Sequence, residues 1–364
     1  MRPTEIIVDL DAIRHNFNAF KNLTPSSTPV PVVKSDAYGH GAIQVATALQ
    51  AHGTKALAVF RVEEAIQIRN ANVTVPIWVL LGALDCEIDD AVNYDLTLAC
   101  WSLDNAGKLN DAAKKAGIVQ PIHLKIDTGM GRLGFLPNQV FNAIAEINSF
   151  SSLRLCGAFT HIAKADEPCH PVTASQVEQF RIIANDLPAS CNQIHLAATS
   201  AIERRLMDAL PYNRPGIGIY GIAPEKESNL DLIPAMTVKS RLISLKDIPK
   251  GHTISYNCTV TLQRDSKIAV VPIGYSTGLQ RAFTNKMKGI VRGKIVNNLG
   301  TVCMDMTMFD LTDVPDAAQD DEIILLGKQG NAEITAWELA SAANTIPYEI
   351  LCNLGQAHPR THLN

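Results

Sequence analysis

The chain has 364 residues, more than one ordinary compact core needs, so a barrel of about 250 residues plus a smaller domain, or two mid-sized domains, are the natural divisions. A net charge of -4 with acids and bases interspersed leaves no basic stripe for nucleic acid and no like-charge block typical of a disordered tail. Apolar content is 46% and charged content 19%, as in soluble globular proteins; the longest apolar run, Val75 to Leu84, contains Pro76 and falls far short of the roughly 20 residues of a membrane span.

Near the N-terminus, Arg2, Glu5, Asp9 and Asp11 are incompatible with a secretory apolar core. The eight cysteines form no C-x-x-C pair, and Cys100, Cys156 and Cys258 sit in apolar runs; reduced thiols in the cytoplasm are expected. His161, Cys169 and His170 match no standard ligand spacing, so no metal is expected.

From residue 30 to about 220 one pattern recurs, a short apolar run followed by a longer amphipathic segment. The expected strands are 30–33, 56–60, 77–81, 96–100, 122–126, 155–159, 193–197 and 212–214. The expected helices are 43–51, 62–70, 87–93, 104–116, 138–147, 174–185 and 201–207, the fourth ending at Gly117, a usual residue just past a helix. Eight alternations argue for a parallel (β/α)8 TIM-type barrel. An open doubly wound sheet is the rival, but Gly39 and Gly41 are too few and wrongly placed for its phosphate fingerprint. After about Asp231 the texture becomes mostly β. Val-, Ile- and Thr-rich runs at 236–245, 253–262, 267–272, 289–296, 301–311 and 322–326 are separated by Pro-Lys-Gly, Arg-Gly-Lys and Asn-Asn-Leu-Gly turns. Thr335 and Glu338 have capping-box spacing before a helix at 339–344. The polar stretch Glu225 to Asp231 suits a linker, dividing the chain into a barrel domain, 1–231, and a β-rich C-terminal domain, 232–364.

Active sites of such barrels lie at the carboxyl ends of the strands. There the sequence places Lys34 after the first strand, Lys125, Asp127 and Arg132 at the fifth, His161 at the sixth, Thr199 and Ser200 at the seventh, and Arg214, Gly216 and Ile217 at the eighth. A half-desolvated lysine is a candidate amine nucleophile. Ser200 and the backbone amides of Gly216 and Ile217, with Tyr38 from the first loop, have the makings of a phosphate corner. An amine facing a phosphate pocket suits pyridoxal phosphate bound to lysine as an imine, or an aldolase acting on a sugar phosphate through the same kind of bond.

Over nearly its whole length the chain resembles the bacterial alanine racemases. The resemblance is carried by Arg2-Pro-Thr with Val8-Asp-Leu-Asp11 and His15-Asn16, by Val33-Lys-Ser-Asp-Ala-Tyr-Gly-His-Gly41, and by Lys125-Ile-Asp-Thr-Gly-Met-Gly-Arg-Leu-Gly134. Arg214-Pro-Gly-Ile-Gly-Ile-Tyr-Gly221, Ile254-Ser-Tyr256, Pro272-Ile-Gly-Tyr275, Val302-Cys-Met-Asp305 and Ile346-Pro-Tyr-Glu349 continue it. It implies pyridoxal 5′-phosphate on Lys34, which acts as base on one face of the substrate α-carbon, and Tyr256 from a second subunit as base on the other; a homodimer with shared sites follows. It assigns Tyr38, Ser200, Gly216, Ile217 and Tyr348 to the phosphate and Arg214 to the pyridine nitrogen, with His161 orienting Arg214. Arg132 is assigned to the phenolic oxygen and substrate carboxylate, Lys125 to a lysine that the family can carbamylate, Met304 and Asp305 to the partner's substrate site, and Asp166, Tyr275 and Arg281 to the entry corridor. The small-molecule substrate implied is alanine, and D-alanine for the cell wall its use. Ser276-Thr277, where the family often has Ala-Asp, and Ala357, where an arginine is common, depart from the pattern at the entrance and dimer rim. A broader-specificity racemase acting on serine, a non-catalytic pyridoxal-phosphate carrier and a two-domain decarboxylase are the alternatives. The β domain argues against the carrier. Arg214, where the decarboxylases carry Glu, argues against the last.

Overall fold

The computed structural model describes residues 3–226 and 228–364; Arg2 of the opening motif and Glu227 of the expected linker lie outside the described residues. Two compact units result. One comprises Ile13–Ala37 and Ala42–Ile233; the other gathers the N-terminal segment ending at Ala12, Tyr38–Gly41 and Pro234–Asn364. The expected division at 231/232 treats the chain as two consecutive stretches, whereas the units interleave.

The first unit is the expected parallel barrel. Its strands run in the order Thr28–Pro29, Tyr212–Arg214, Gln193–Ala198, Leu153–Phe159, Gln120–Lys125, Leu96–Cys100, Ile77–Val79, Leu57–Val59. The ring closes through a parallel bridge from Val32 to Ala58, with Val33 N–H donating to Ala58 O at 2.8 Å. Leu57, Val59, Ile77, Leu96 and Leu98 are buried because helices cover the sheet, which is why these strands read as unbroken apolar runs rather than alternating ones. Strand Leu96–Cys100 and helix Val62–Asn70 have the expected bounds. Helix Leu103–Ala116 ends as expected on left-handed Gly117. The last helix is shorter than expected: it stops at Glu203 because Arg205 and Met207 adopt positive φ. Buried Asn16 closes the unit, its side-chain amide donating to Ile219 O and Ile233 O and its oxygen accepting from Ile233 N–H.

In the second unit a sheet runs in the order Lys294–Asn297, Lys288–Val291, Glu322–Gln329, Met236–Arg241, Glu5–Asp9, Arg360–Leu363, with Ala332–Ile334 added on Glu322–Gln329. The strand at Glu5–Asp9, not expected from the sequence, pairs antiparallel with Met236–Arg241 and parallel with Arg360–Leu363. A three-stranded sheet holds Ser244–Ile248, Ser266–Val271 and Thr307–Asp310. The strand expected at 236–245 is therefore two, divided at buried Leu242 where the chain changes sheets. The runs at 253–262 and 301–311 are also interrupted: only Thr253–Ile254, Val260–Thr261 and Thr307–Asp310 are strand, and a 3₁₀ turn at Tyr256–Cys258 and loops hold the remainder. Helix Ala336–Ala343 carries the expected capping box, Thr335 Oγ1 accepting from Glu338 N–H at 3.1 Å and the Glu338 carboxylate accepting from Thr335 N–H at 2.9 Å. No described helix is long and apolar enough to cross a membrane.

Candidate active site

Lys34 stands where the barrel's first strand segment ends, and the residues after it do what L-residues rarely do. Ser35, Asp36, Ala37 and Tyr38 have φ between 53° and 54°, one left-handed turn built without glycine. Each such residue costs roughly 1–2 kcal/mol, so the turn stores roughly 4–8 kcal/mol and persists only because its surroundings over-determine it. In the barrel unit Glu64 Oε1 accepts from Ser35 N–H at 2.5 Å, Ala37 N–H donates to Val33 O at 3.0 Å, and Asp36 Oδ1 accepts from Ala42 N–H at 2.7 Å. In the other unit a Cβ on Gly39 would lie 2.5 Å from Leu351 O, so only glycine fits. There Arg360 also donates to Gly39 O, and His362 Nε2 lies 2.8 Å from His40 O. The ammonium of half-buried Lys34 lies 5.7 Å from the centre of the Phe60 ring.

Buried Asp127 organises the next loop. Its carboxylate accepts from Gly129, Met130, Gly131 and Arg132 N–H at 2.8–3.1 Å. Burial works to raise its pKa, but the four backbone donors together outweigh that and hold it below the usual carboxylate range. The loop so formed presents exposed Arg132. Lys125, at the strand end, lies 4.8 Å over the Phe159 ring. Burial, with help from Arg214 and Arg132, pulls its pKa down to about 7, so a large fraction is the neutral amine at neutral pH.

Arg214 is buried and held by neutral acceptors: His195 Nδ1 on one Nη, and Thr160 O and Leu196 O at 3.0 Å each on the other. Burial lowers its pKa to about 9, which still leaves it charged at neutral pH. The expected orientation of Arg214 by His161 is corrected here: His195, on the strand beside Arg214, is the histidine bonded to it, and the His161 ring makes no hydrogen bond among the described residues. Burial first, then the charges of Arg214, Lys125, Arg132 and Lys34, push His161 down to about 3. Those four basic side chains, Lys125 through its charged fraction, thus act together on one ring, and the acid among them, Asp127, is already committed to backbone donors. Such a site suits an anionic ligand.

The buried histidines set an acid limit on stability. Burial pushes His123 down to about 4 and His195 well below its ordinary value, so at weakly acid pH the unfolded chain binds protons that the folded chain refuses. Their contribution is complete above roughly pH 6.5 and is lost as pH falls towards the folded values, at about 1.4 kcal/mol per pH unit for each ring. Urea unfolding between pH 7.5 and 5 should show the free energy falling with pH; a flat profile would contradict the assignment of both rings as neutral.

At the expected phosphate corner, Gly216 N–H donates to Thr199 Oγ1 at 2.9 Å, so that amide is partly committed, whereas the N–H of buried Ile217 has no acceptor among the described residues. Gly218 lets the loop pack closely: a Cβ there would lie 2.3 Å from the Phe20 ring. Ser200 lies in the short helix Thr199–Glu203 beside this loop, and Asp166 is exposed after the sixth strand.

The second unit holds the remaining expected residues in two groups. Tyr38 and Tyr348 pair with ring centroids 6.0 Å apart, and burial raises the Tyr348 hydroxyl to about 12, keeping it a donor. Tyr256 sits on a strained turn, with Ser255, Asn257 and Cys258 at φ 65°, 62° and 48°. Thr301 Oγ1 donates to Tyr256 O at 2.8 Å and Ser255 Oγ donates to Thr301 O at 2.7 Å, tying that turn to the loop bearing Met304 and Asp305. Tyr275 joins the same platform: its N–H donates to Cys303 O at 3.1 Å, and Ser276 Oγ reaches Asp305 Oδ1 at 2.6 Å. Tyr256 is 68% exposed and Met304 53%, an aromatic and a thioether offered to solvent; Arg281 is exposed nearby in sequence. Sequence reasoning missed His195, His123 and Glu64. The only trace of the histidines was their polarity inside otherwise apolar strands.

A parallel barrel whose rim gathers a lysine ahead of a strained turn, a buried arginine and a glycine-containing loop with an uncommitted backbone amide, in a chain with a separate antiparallel β unit, defines the class of two-domain barrel enzymes. Residues 8–224 match the family model described as alanine racemase, N-terminal domain, and residues 235–362 that described as alanine racemase, C-terminal domain. The chain belongs to the alanine racemase family, whose members depend on pyridoxal 5′-phosphate. It is 38% identical to the alanine racemase of Halothermothrix orenii over 100% of this chain and 97% of that one. Among solved structures, alanine racemase of Clostridium difficile 630 superposes with a TM-score of 0.93 at 34% identity, covering 100% of this chain and 96% of that one. The Bacillus anthracis alanine racemase with bound L-Ala-P gives a TM-score of 0.92 at 30% identity, covering 100% and 96%.

Proposed function

We propose that the chain interconverts L- and D-alanine by moving the α-proton between two bases on opposite faces of the substrate, with pyridoxal 5′-phosphate as cofactor and two copies of the chain sharing each site. The observation that carries this is Arg214. A buried cation satisfied by neutral acceptors retains its Nε–H and one Nη1 proton, without partners among the described residues, for a ring nitrogen. It donates a hydrogen bond and keeps its own proton. When bound, pyridoxal phosphate supplies an electron-withdrawing ring that makes the substrate α-C–H acidic. Arg214, by leaving the ring nitrogen unprotonated, restrains that withdrawal and disfavours side reactions, whereas an acid there would serve a decarboxylase.

The barrel unit, Ile13–Ala37 and Ala42–Ile233, binds the cofactor, and Pro234–Asn364 supplies the part that reaches the partner's site. Lys34 anchors the cofactor and holds or returns the proton on one face. Tyr256 from the second copy does so on the other, and its exposure on a strained, tethered turn supports that role. Ser200, Gly216 and Ile217, with Tyr38 and Tyr348, hold the phosphate, and neutral His161 contacts the cofactor. Arg132 holds the substrate carboxylate, and Met304 and Asp305 of the second copy bound the substrate. Asp166, Tyr275 and Arg281 line the approach. Lys125, neutral often enough to react with carbon dioxide, carries a carbamate that faces Arg132. The enzyme works in the cytoplasm, where its free thiols stay reduced. Its D-alanine would serve peptidoglycan or be catabolised.

Incubation of the holoenzyme with L-alanine, and separately with L-serine, followed by chiral chromatography tests this reading. Equal amounts of the two alanine enantiomers are expected at equilibrium. Absence of D-alanine with cofactor present overturns the reading, and faster turnover of serine moves it to a broader racemase. Carbon-13-labelled bicarbonate in the same buffer should give a carbamate carbonyl signal that Lys125→Ala removes.

A further inference from the structure

The barrel interior, usually packed with branched apolar side chains, is here threaded by polar groups. Beyond Arg214 the thread continues: His195 Nε2 lies 3.0 Å from His123 Nδ1, and His123 Nε2 lies 2.7 Å from Gln193 Oε1. Both rings are buried, His195 completely and His123 to within 2%. His195 is clamped between Trp78, stacked at 4.6 Å, and Phe159, stacked at 4.7 Å, and Trp78 meets His123 edge-on at 4.7 Å. Space for His123 is reserved by a missing side chain: a Cβ on Gly157 would lie 2.8 Å from His123 Cδ2 and 2.2 Å from Gln193 O.

The chemistry of the groups allows this thread one direction only. A guanidinium has donors and no acceptor, so His195 Nδ1 must accept and its single proton must lie on Nε2. That proton goes to His123 Nδ1, which places the proton of His123 on Nε2. The next group must accept, and Gln193 presents its amide oxygen. Were the amide reversed, each ring would change tautomer and an N–H of His195 would face an N–H of Arg214, with the buried cation deprived of an acceptor. Gln193, at the start of its strand and partly exposed, is thus the far terminus of a relay that ends at the site.

We propose that Gln193 and His123 are positioning residues that lock the tautomer of His195 and thereby hold the Arg214 guanidinium as a donor towards the cofactor's ring nitrogen. This rests on the role of Arg214 given above. The relay itself is read out separately, by the tautomers of the rings, in protein with and without cofactor.

The test uses the full chain labelled with nitrogen-15 histidine and long-range proton–nitrogen correlation between pH 6.5 and 8. His195 and His123 should both carry the proton on Nε2, with or without pyridoxal phosphate. Gln193→Leu, which removes the terminal acceptor, should mix the tautomers of His123 and His195, weaken pyridoxal-phosphate binding about 10-fold, shift the absorbance of the bound cofactor and lower kcat more than KM rises. Gln193→Glu, an acceptor when ionised, should retain the wild-type tautomers and most of the affinity. A proton on Nδ1 of His195 in the wild-type protein overturns the relay, and that measurement needs no variant to fold. Gln193→Leu with unchanged tautomers overturns the role of Gln193. Changed tautomers with unchanged cofactor affinity and absorbance overturn the positioning claim, while leaving alanine racemisation by the wild-type enzyme as a separate question.

Discussion

Replacing Lys34 by alanine should lower racemisation by about 10⁴-fold or more, because it removes both the covalent anchor of the cofactor and one of the two proton-transfer groups, each of which contributes on the order of 10²–10⁴. The fold should survive. The lysine is half-buried with its ammonium 5.7 Å from the centre of the Phe60 ring, while the strained turn is held by backbone hydrogen bonds to Glu64 and Val33 that alanine leaves intact. Borohydride, which should fix the cofactor to the wild-type chain, should fix none to Lys34→Ala, and circular dichroism should be unchanged. A variant that still retains cofactor after borohydride and denaturation would refute Lys34 as the anchor.

Tyr256→Phe should be nearly as damaging, by about 10³-fold in racemisation, and the form of the loss is more informative than its size. Enantiomers have equal free energy in water, so the equilibrium constant stays at unity and kcat/KM must fall equally in the two directions. The asymmetry appears only in exchange. With Lys34 intact, one enantiomer should still wash out its α-deuterium at a near-normal rate, while the other exchanges about 10³-fold more slowly. Equal losses for both would refute the two-face assignment. Stability should change by less than about 0.5 kcal/mol, since the side chain is 68% exposed and its hydroxyl has no partner among the described residues.

Much of the barrel was legible because its strands are covered on both faces. Leu96–Cys100 and Tyr212–Arg214 read as short apolar or chain-bounded runs between helical segments, and their bounds were recovered. The β-rich half was legible in composition but not in its breaks. Residues 253–262 have strand composition, yet Ser255, Asn257 and Cys258 take positive φ and lift Tyr256 out of any ladder. β-branched content reports a preference for a pleated surface and says nothing of a local left-handed residue imposed by Thr301 and Gly300 from far along the chain.

The stretch around Lys34 shows the same division most sharply. Sequence by itself determined that an apolar run ends there in a lysine, that small residues and two glycines follow, and that a helix resumes at Ala42, because these are local patterns of burial and backbone freedom, although the strand itself is Thr28–Pro29 and only a bridge at Val32 extends it. It also determined the family, because the lysine and Arg132 motifs recur in order. Only the tertiary structure decided that the turn is left-handed without glycine, since that conformation is unfavourable locally and is held by Glu64, distant in sequence. Only the tertiary structure, likewise, decided which histidine serves Arg214. His123 and His195 stand 72 residues apart on strands that are not neighbours, and they meet because closing the sheet turns both side chains into one interior. Proton direction along that thread is set by a guanidinium with no acceptor, a constraint that exists once the groups are in contact and not before.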